Sequence, residues 1–246
     1  MPSSPSSAFD SRIEARLRPA QRAAFRQLAD HTPGIDREAY DACGRDWREP
    51  IIGLGPRDAR LCIFGRDPGR WEVEHALPFV GKGGQLVRAA LVRQQFGTDA
   101  VPPDVAASVA AGRGVFWLNT VPYKPVGNRA WSMAVKRRFQ PLLAELLLDA
   151  WQGRDGERTV IALGREAFFW FGIGQPAEVG AALDAFWAQG DARYRRTLRI
   201  DYRAADDAST HPITLAPLPH PSPANAVWFA RFPALMDERL QALSNS

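Results

Sequence analysis

The sequence predicts an α/β fold, a mainly parallel sheet covered on both faces by helices, and three observations predict it. Four short runs, 59–65 (ARLCIFG), 114–121 (GVFWLNTV), 158–164 (RTVIALG) and 213–219 (ITLAPLP), are apolar along most of their length, as strands buried on both faces are. Longer stretches with apolar residues at helical spacing separate them, the alternation that produces parallel sheets. A chain of 246 residues with 46% hydrophobic content can also bury a full core as a single α/β domain.

In chain order, residues 1–8 read as a disordered tail ahead of one domain over 9–246. The segment 11–30 has helical spacing, with Pro19 marking a break or a new first turn. Turn-rich sequence follows up to Pro56, then the strand 59–65 ending at Gly65. An amphipathic helix over 85–96 stops before Gly97, and a Pro/Ala/Gly loop leads to the strand 114–121. Residues 133–151 are mostly helix, and the strand 158–164 feeds the helix 165–171. The last strands are a pair, 195–202 with 213–219, and a closing helix runs over 227–243, its first turns weakened by Pro233.

The formal charge is only +4, carried by 28 arginines and three lysines. Arginine suits phosphate and base-edge contacts, but the basic residues are spread along the chain, so an arginine-rich genome accounts for them equally well. Two cysteines, Cys43 and Cys62, make neither a disulfide framework nor a Cys-x-x-Cys site for zinc or an iron–sulfur cluster. Neither a basic leader followed by an apolar stretch nor an uncharged apolar run of about 18 residues occurs. The expectation is a cytoplasmic monomer without metal or cofactor.

Four segments carry polar or aromatic groups with chemical potential. In 65–69 (GRDPG) Asp67 sits in a tight turn after a strand, where its carboxylate can enter a cleft; an ordinary Asp-Pro-Gly turn is the competing reading. Phe79, in 78–84 (PFVGKGG), precedes a glycine-rich helix start, where an aromatic face can stack on an extruded base; core packing competes. Neither phosphate-binding glycine pattern occurs there in the right context. Asn119 interrupts an apolar strand and needs partners, from a neighbouring turn or from a base edge. His220 lies among prolines in 217–225 (PLPHPSPAN), a backbone stiff enough to hold the ring in one orientation. In an open parallel sheet such strand-end residues converge on one edge.

Taken in order, the segments 51–55 (IIGLG), 65–69, 78–87 (PFVGKGGQLV), 118–129 (LNTVPYKPVGNR), 160–164 (VIALG) and 220–223 (HPSP) resemble the uracil-DNA glycosylase superfamily from about residue 51 to 225. The blocks around Phe79 and Asn119 look most like the bacterial and archaeal iron–sulfur branch, while Asp67 and the HPSP loop look like the uracil-specific branch. The cluster cysteines are missing, so no cluster is expected. The fold that accompanies the resemblance is a three-layer α/β/α sandwich with a central, mainly parallel four-stranded sheet.

The resemblance implies roles. Asp67 positions a water and stabilises positive charge on the sugar, Phe79 stacks on the base, Asn119 bonds its Watson–Crick edge, and His220 donates to the departing base oxygen. Arg66, Lys124, Arg129, Ser222 and Asn225, with the run 136–138 (KRR), are the candidate DNA contacts. Two departures bear on the substrate. Gly69 stands where the uracil-specific branch has a bulky aromatic, leaving the pyrimidine C5 side open. Ala224 replaces the wedge leucine, leaving Asn225, Val227 or Trp228 to fill a gap in the duplex. Residues 172–196 match no block and read as a pocket-rim insertion or as a helix and loop.

Three functions follow: a monofunctional glycosylase that removes uracil in base-excision repair; a glycosylase for C5-modified pyrimidines, including the hydroxymethylated or glucosylated cytosines of phage DNA, acting in defence; and a DNA-binding protein without turnover. With no lysine in a motif position, an imine-forming lyase step is not expected.

Overall fold

The computed structural model describes residues 16–97, 104–153, 156–203 and 209–244, so the expected tail at 1–8 lies outside the described residues. Five strands, β1 (Leu61–Gly65), β2 (Phe116–Asn119), β3 (Arg158–Leu163), β4 (Leu198–Tyr202) and β5 (His211–Leu218), form one sheet in the order β2-β1-β3-β5-β4. The count of four is corrected to five. The first four strands of that order run parallel, and β4 joins antiparallel to β5 at the edge, with Ile200 opposite Ile213.

The parallel strands, the edge strand β2 included, are apolar on both faces because each face has its own helical layer. Cys62 and Phe64 of β1, Phe116 and Leu118 of β2, and Val160 and Ala162 of β3 enter one cluster. It includes Phe25 of α1 (Pro19–Asp30), Phe139 of α6 (Met133–Glu145), Phe168 of α7 (Arg165–Trp170) and Leu183 of α8 (Ala177–Trp187). Ile63, Trp117, Ile161 and Leu218 face the other way, against Val87 of α4 (Lys82–Phe96) and Phe232 and Met236 of α9 (Ala226–Ser244). The period-two alternation of strand side chains thus feeds two cores, giving the three layers.

The remaining helices, α2 (Arg37–Asp41), α3 (Arg70–His75) and α5 (Val105–Ala111), are short, and α2 and α5 lie in sequence that reads as turn or loop. Asp36 and Asp104 cap α2 and α5 by accepting the backbone N–H of Ala39 and Ala107. α4 begins three residues before the predicted start, taking Gly83 and Gly84 into its first turn. From β1 the chain passes to β2 on one side of the sheet, and from β3 to the edge strand β4 and back to β5 on the other. The crevice at their carboxyl ends is where such sheets bind ligands.

Candidate active site

A cleft of about 390 Å³ opens at that crevice, lined by strand-end and loop residues that include Gly65, Arg66, Asp67, Gly69, Phe79, Asn119, Leu163, His220 and Ser222. Close backbone packing assembles it. A side chain at Gly65 would stand 2.5 Å from the Phe79 ring, and one at Gly84 would stand 2.2 Å from the Phe79 carbonyl oxygen. Phe79 itself adopts a left-handed backbone (φ +58°), costly for a residue with a Cβ. Buried Arg88 holds this turn: its Nε donates to the Phe79 carbonyl at 2.8 Å and its Nη2 to the Pro78 carbonyl at 3.0 Å, while the guanidinium lies over the Trp117 ring. Burial lowers the Arg88 pKa to about 10, opposed by Glu72. Arg88→Met is expected to lower the unfolding free energy by about 3 kcal/mol in urea denaturation, because it orphans buried carbonyls.

Asp67 follows β1 with its side chain fully buried. The Thr120 hydroxyl donates to Oδ1 at 3.0 Å, Arg66 Nε lies 3.5 Å from Oδ2, and Oδ2 has no hydrogen-bond partner. Burial raises the carboxyl pKa to about 6, held from rising further by Arg66, Thr120, Lys136 and the Trp131 backbone. Asn119, at the end of β2, is also buried and its Oδ1 is likewise unpartnered. Two buried oxygens without a hydrogen bond, in residues that line one cleft, call for an explanation, which a ligand would supply.

His220 is seated by two glycines. Gly164, at φ +90°, leaves room for the His220 Cβ, which a side chain there would approach to 2.7 Å, and Gly83 leaves room for the Pro221 carbonyl. Burial, then the charge of Arg66, lowers the His220 pKa to about 4, so its ring is neutral at pH 7.

Gly69 lines the cleft, and Glu72 stands beside it. Glu72, on α3, is buried and accepts the Gly69 N–H at 3.0 Å and the Gly81 N–H at 2.8 Å. A side chain at Gly69 would come within 2.9 Å of Oε2. The carboxylate clasps the 65–69 and 78–84 loops together.

The candidate DNA contacts are distributed unevenly. Arg66 and Ser222 line the cleft, and Arg66 Nη2 also donates to the Asn128 carbonyl at 2.8 Å. Arg129 is exposed, next to Asn128 at the rim but outside the lining. Lys124 is corrected: it is buried, and its ammonium is 2.5 Å from Asp36 Oδ2, which leaves it no charge for a phosphate. Lys136 is likewise buried and paired with Glu166, so the 136–138 run is not a continuous basic surface. Asn225 lies beside the cleft, in an adjoining groove, where its Oδ1 caps α9 on the Trp228 N–H. Lys82, given no role from sequence, lines the cleft as an exposed residue, as does Trp71, 52% exposed.

Sequence reasoning missed Glu72, Thr120 and Arg88. Glu72 stands three residues after Gly69, in the first turn of a short helix, the one local cue available. Among the described residues no three His, Cys, Asp or Glu side chains group as metal ligands. Cys62 is sealed in β1, where burial pushes its thiol pKa well up, and with Cys43 it does not make a cluster site. Among the described residues no helix is long and apolar enough to cross a membrane.

No curated protein matches the chain. The sequence model of the Uracil DNA glycosylase superfamily matches residues 52–244, from the loop before β1 through α9. A match over that much of the chain, on a parallel sheet whose strand ends gather the same blocks into one cleft, shows that the chain belongs to the uracil-DNA glycosylase superfamily.

Proposed function

We propose that the chain is a monofunctional DNA glycosylase that extrudes uracil from DNA and hydrolyses its N-glycosidic bond. The observation that carries this reading is that Asp67, Phe79, Asn119 and His220, brought from four separate segments, line one cleft, with Asp67 Oδ2 and Asn119 Oδ1 buried and without a hydrogen bond.

The chemistry follows from their placement. Phe79 stacks on the extruded base, returning about 1–3 kcal/mol of the few spent on flipping. An Asn119 amide that turns Oδ1 to the base matches N3–H, as uracil has; one that turns its NH₂ matches cytosine, which has an acceptor there. As the bond to C1′ lengthens, positive charge grows on the sugar and negative charge on the base, so stabilisation is needed at both ends. Asp67, ionised above about pH 6, faces the sugar and orients the attacking water. Neutral His220 donates an N–H to the base oxygen. Water adds to C1′, the base departs as an anion and takes up a proton, and an abasic site remains.

Glu72 supports the reading by holding the Gly69 and Gly81 N–H groups, which joins the loops of Asp67 and Phe79. Glu72→Ala is expected to cost roughly thirtyfold in kcat/KM on uracil DNA, since two backbone N–H groups lose their acceptor, measured by abasic-site formation.

The test is purified protein on DNAs carrying uracil, thymine, 5-hydroxymethylcytosine or glucosylated 5-hydroxymethylcytosine, with Asp67→Asn as control. Release of uracil alone supports the repair reading. Release of a bulky modified cytosine would replace it with the defence reading, and DNA binding without release of any base would leave a non-catalytic binder.

A further inference from the structure

We propose that a second groove beside the base cleft, walled by Trp187, Tyr194 and Trp228, holds the nucleotide next to the extruded one. The proposal rests on the glycosylase reading and extends it to the neighbouring nucleotide. The groove has a volume of about 330 Å³ and shares Arg66, Leu163, His220 and Ser222 with the base cleft, so a chain leaving one enters the other directly.

Its far wall comes from the segment that matches no block of the resemblance. Trp187 ends α8, and Tyr194 lies in the turn of 3₁₀-helix Gly190–Arg195. Trp228, on the first turn of α9, meets Tyr194 edge-on at 4.9 Å, and its backbone N–H is held by Asn225. Arg193 lies over both Trp187 and Tyr194, and Arg231 over Trp228. Arg66 and Arg165 bring positive charge to the lining, while its one carboxylate, Glu166, is tied to Lys136. Trp187 and Trp228 are partly exposed while Tyr194 is buried, so the groove offers tryptophan surface beside the Arg66 and Arg165 guanidinium groups, a pairing of stacking surface and positive charge that suits a base and its phosphate.

The experiment reads binding without turnover, by fluorescence anisotropy on oligonucleotides carrying a stable abasic analogue at the target position. Trp228→Ala is expected to weaken single-strand binding about tenfold, with Trp228→Phe recovering most of the loss. Trimming the oligonucleotide so that it ends at the target is expected to cost the wild type about tenfold from one end, and to cost Trp228→Ala nothing further. Arg165→Gln, an exposed substitution, is expected to lower affinity and to reduce the salt slope by about one. Equal binding by Trp228→Ala and wild type, or a trimming penalty that the variant keeps in full, would overturn the proposal. A wild type that releases no base from any DNA would sink the glycosylase reading alone, because the anisotropy still reports on the groove.

Discussion

Asp67→Asn is expected to abolish base release while making the folded protein more stable at pH 8. The loss of activity should be on the order of 10³-fold, because the substitution removes the negative charge that faces the developing cation. The gain in stability follows from burial. The folded carboxyl keeps its proton up to about pH 6, against an ordinary value of 3.8. Between those values the folded state binds more protons than the unfolded one, so stability falls as pH rises through that window and stays reduced above it. Across about two pKa units the cost is on the order of 2–3 kcal/mol at pH 8. An amide of the same shape escapes it. Thermal unfolding at pH 4 and pH 8 measures the effect: the variant's advantage should be present at pH 8 and vanish at pH 4. In the wild type, activity should fall on the acid side with a midpoint near pH 6, leaving about a tenth at pH 5. His220, already neutral above about pH 4, adds no limb in that range.

Asn119→Ala is expected to lower kcat/KM on uracil DNA by about 10²–10³, and the ratio of uracil to cytosine release should collapse with it. Single-turnover rates on oligonucleotides differing only at the target base measure both. Its stability should stay close to that of the wild type, because the amide oxygen it deletes makes no hydrogen bond in the fold. Retained discrimination would move base recognition to another residue of the cleft.

The parallel strands were legible because burial on both faces leaves uninterrupted apolar runs such as Cys62–Phe64. β4 was legible for a different reason: at the edge, Arg199 and Asp201 are exposed while Ile200 and Tyr202 are buried. Short helices were not. α2 and α5 have 5 and 7 residues, too few for a helical period to show, and each rests on one capping aspartate. At the site, the strand-end rule was enough to gather Asp67, Asn119 and His220. Lys124 misled because its motif neighbours suggest DNA, whereas its partner Asp36 is 88 residues away in sequence. Glu72 was invisible for a related reason. The groups it holds are backbone N–H donors, which every residue but proline carries and no motif records.

The Glu72 clasp also constrains how this protein can change by descent. Positions 69, 72 and 81 are linked, since a side chain at 69 or at 81 would meet an oxygen of one carboxylate, at 2.9 and 3.0 Å, and that carboxylate end would have to shift to admit it. A change at either glycine is therefore felt at the N–H group of the other.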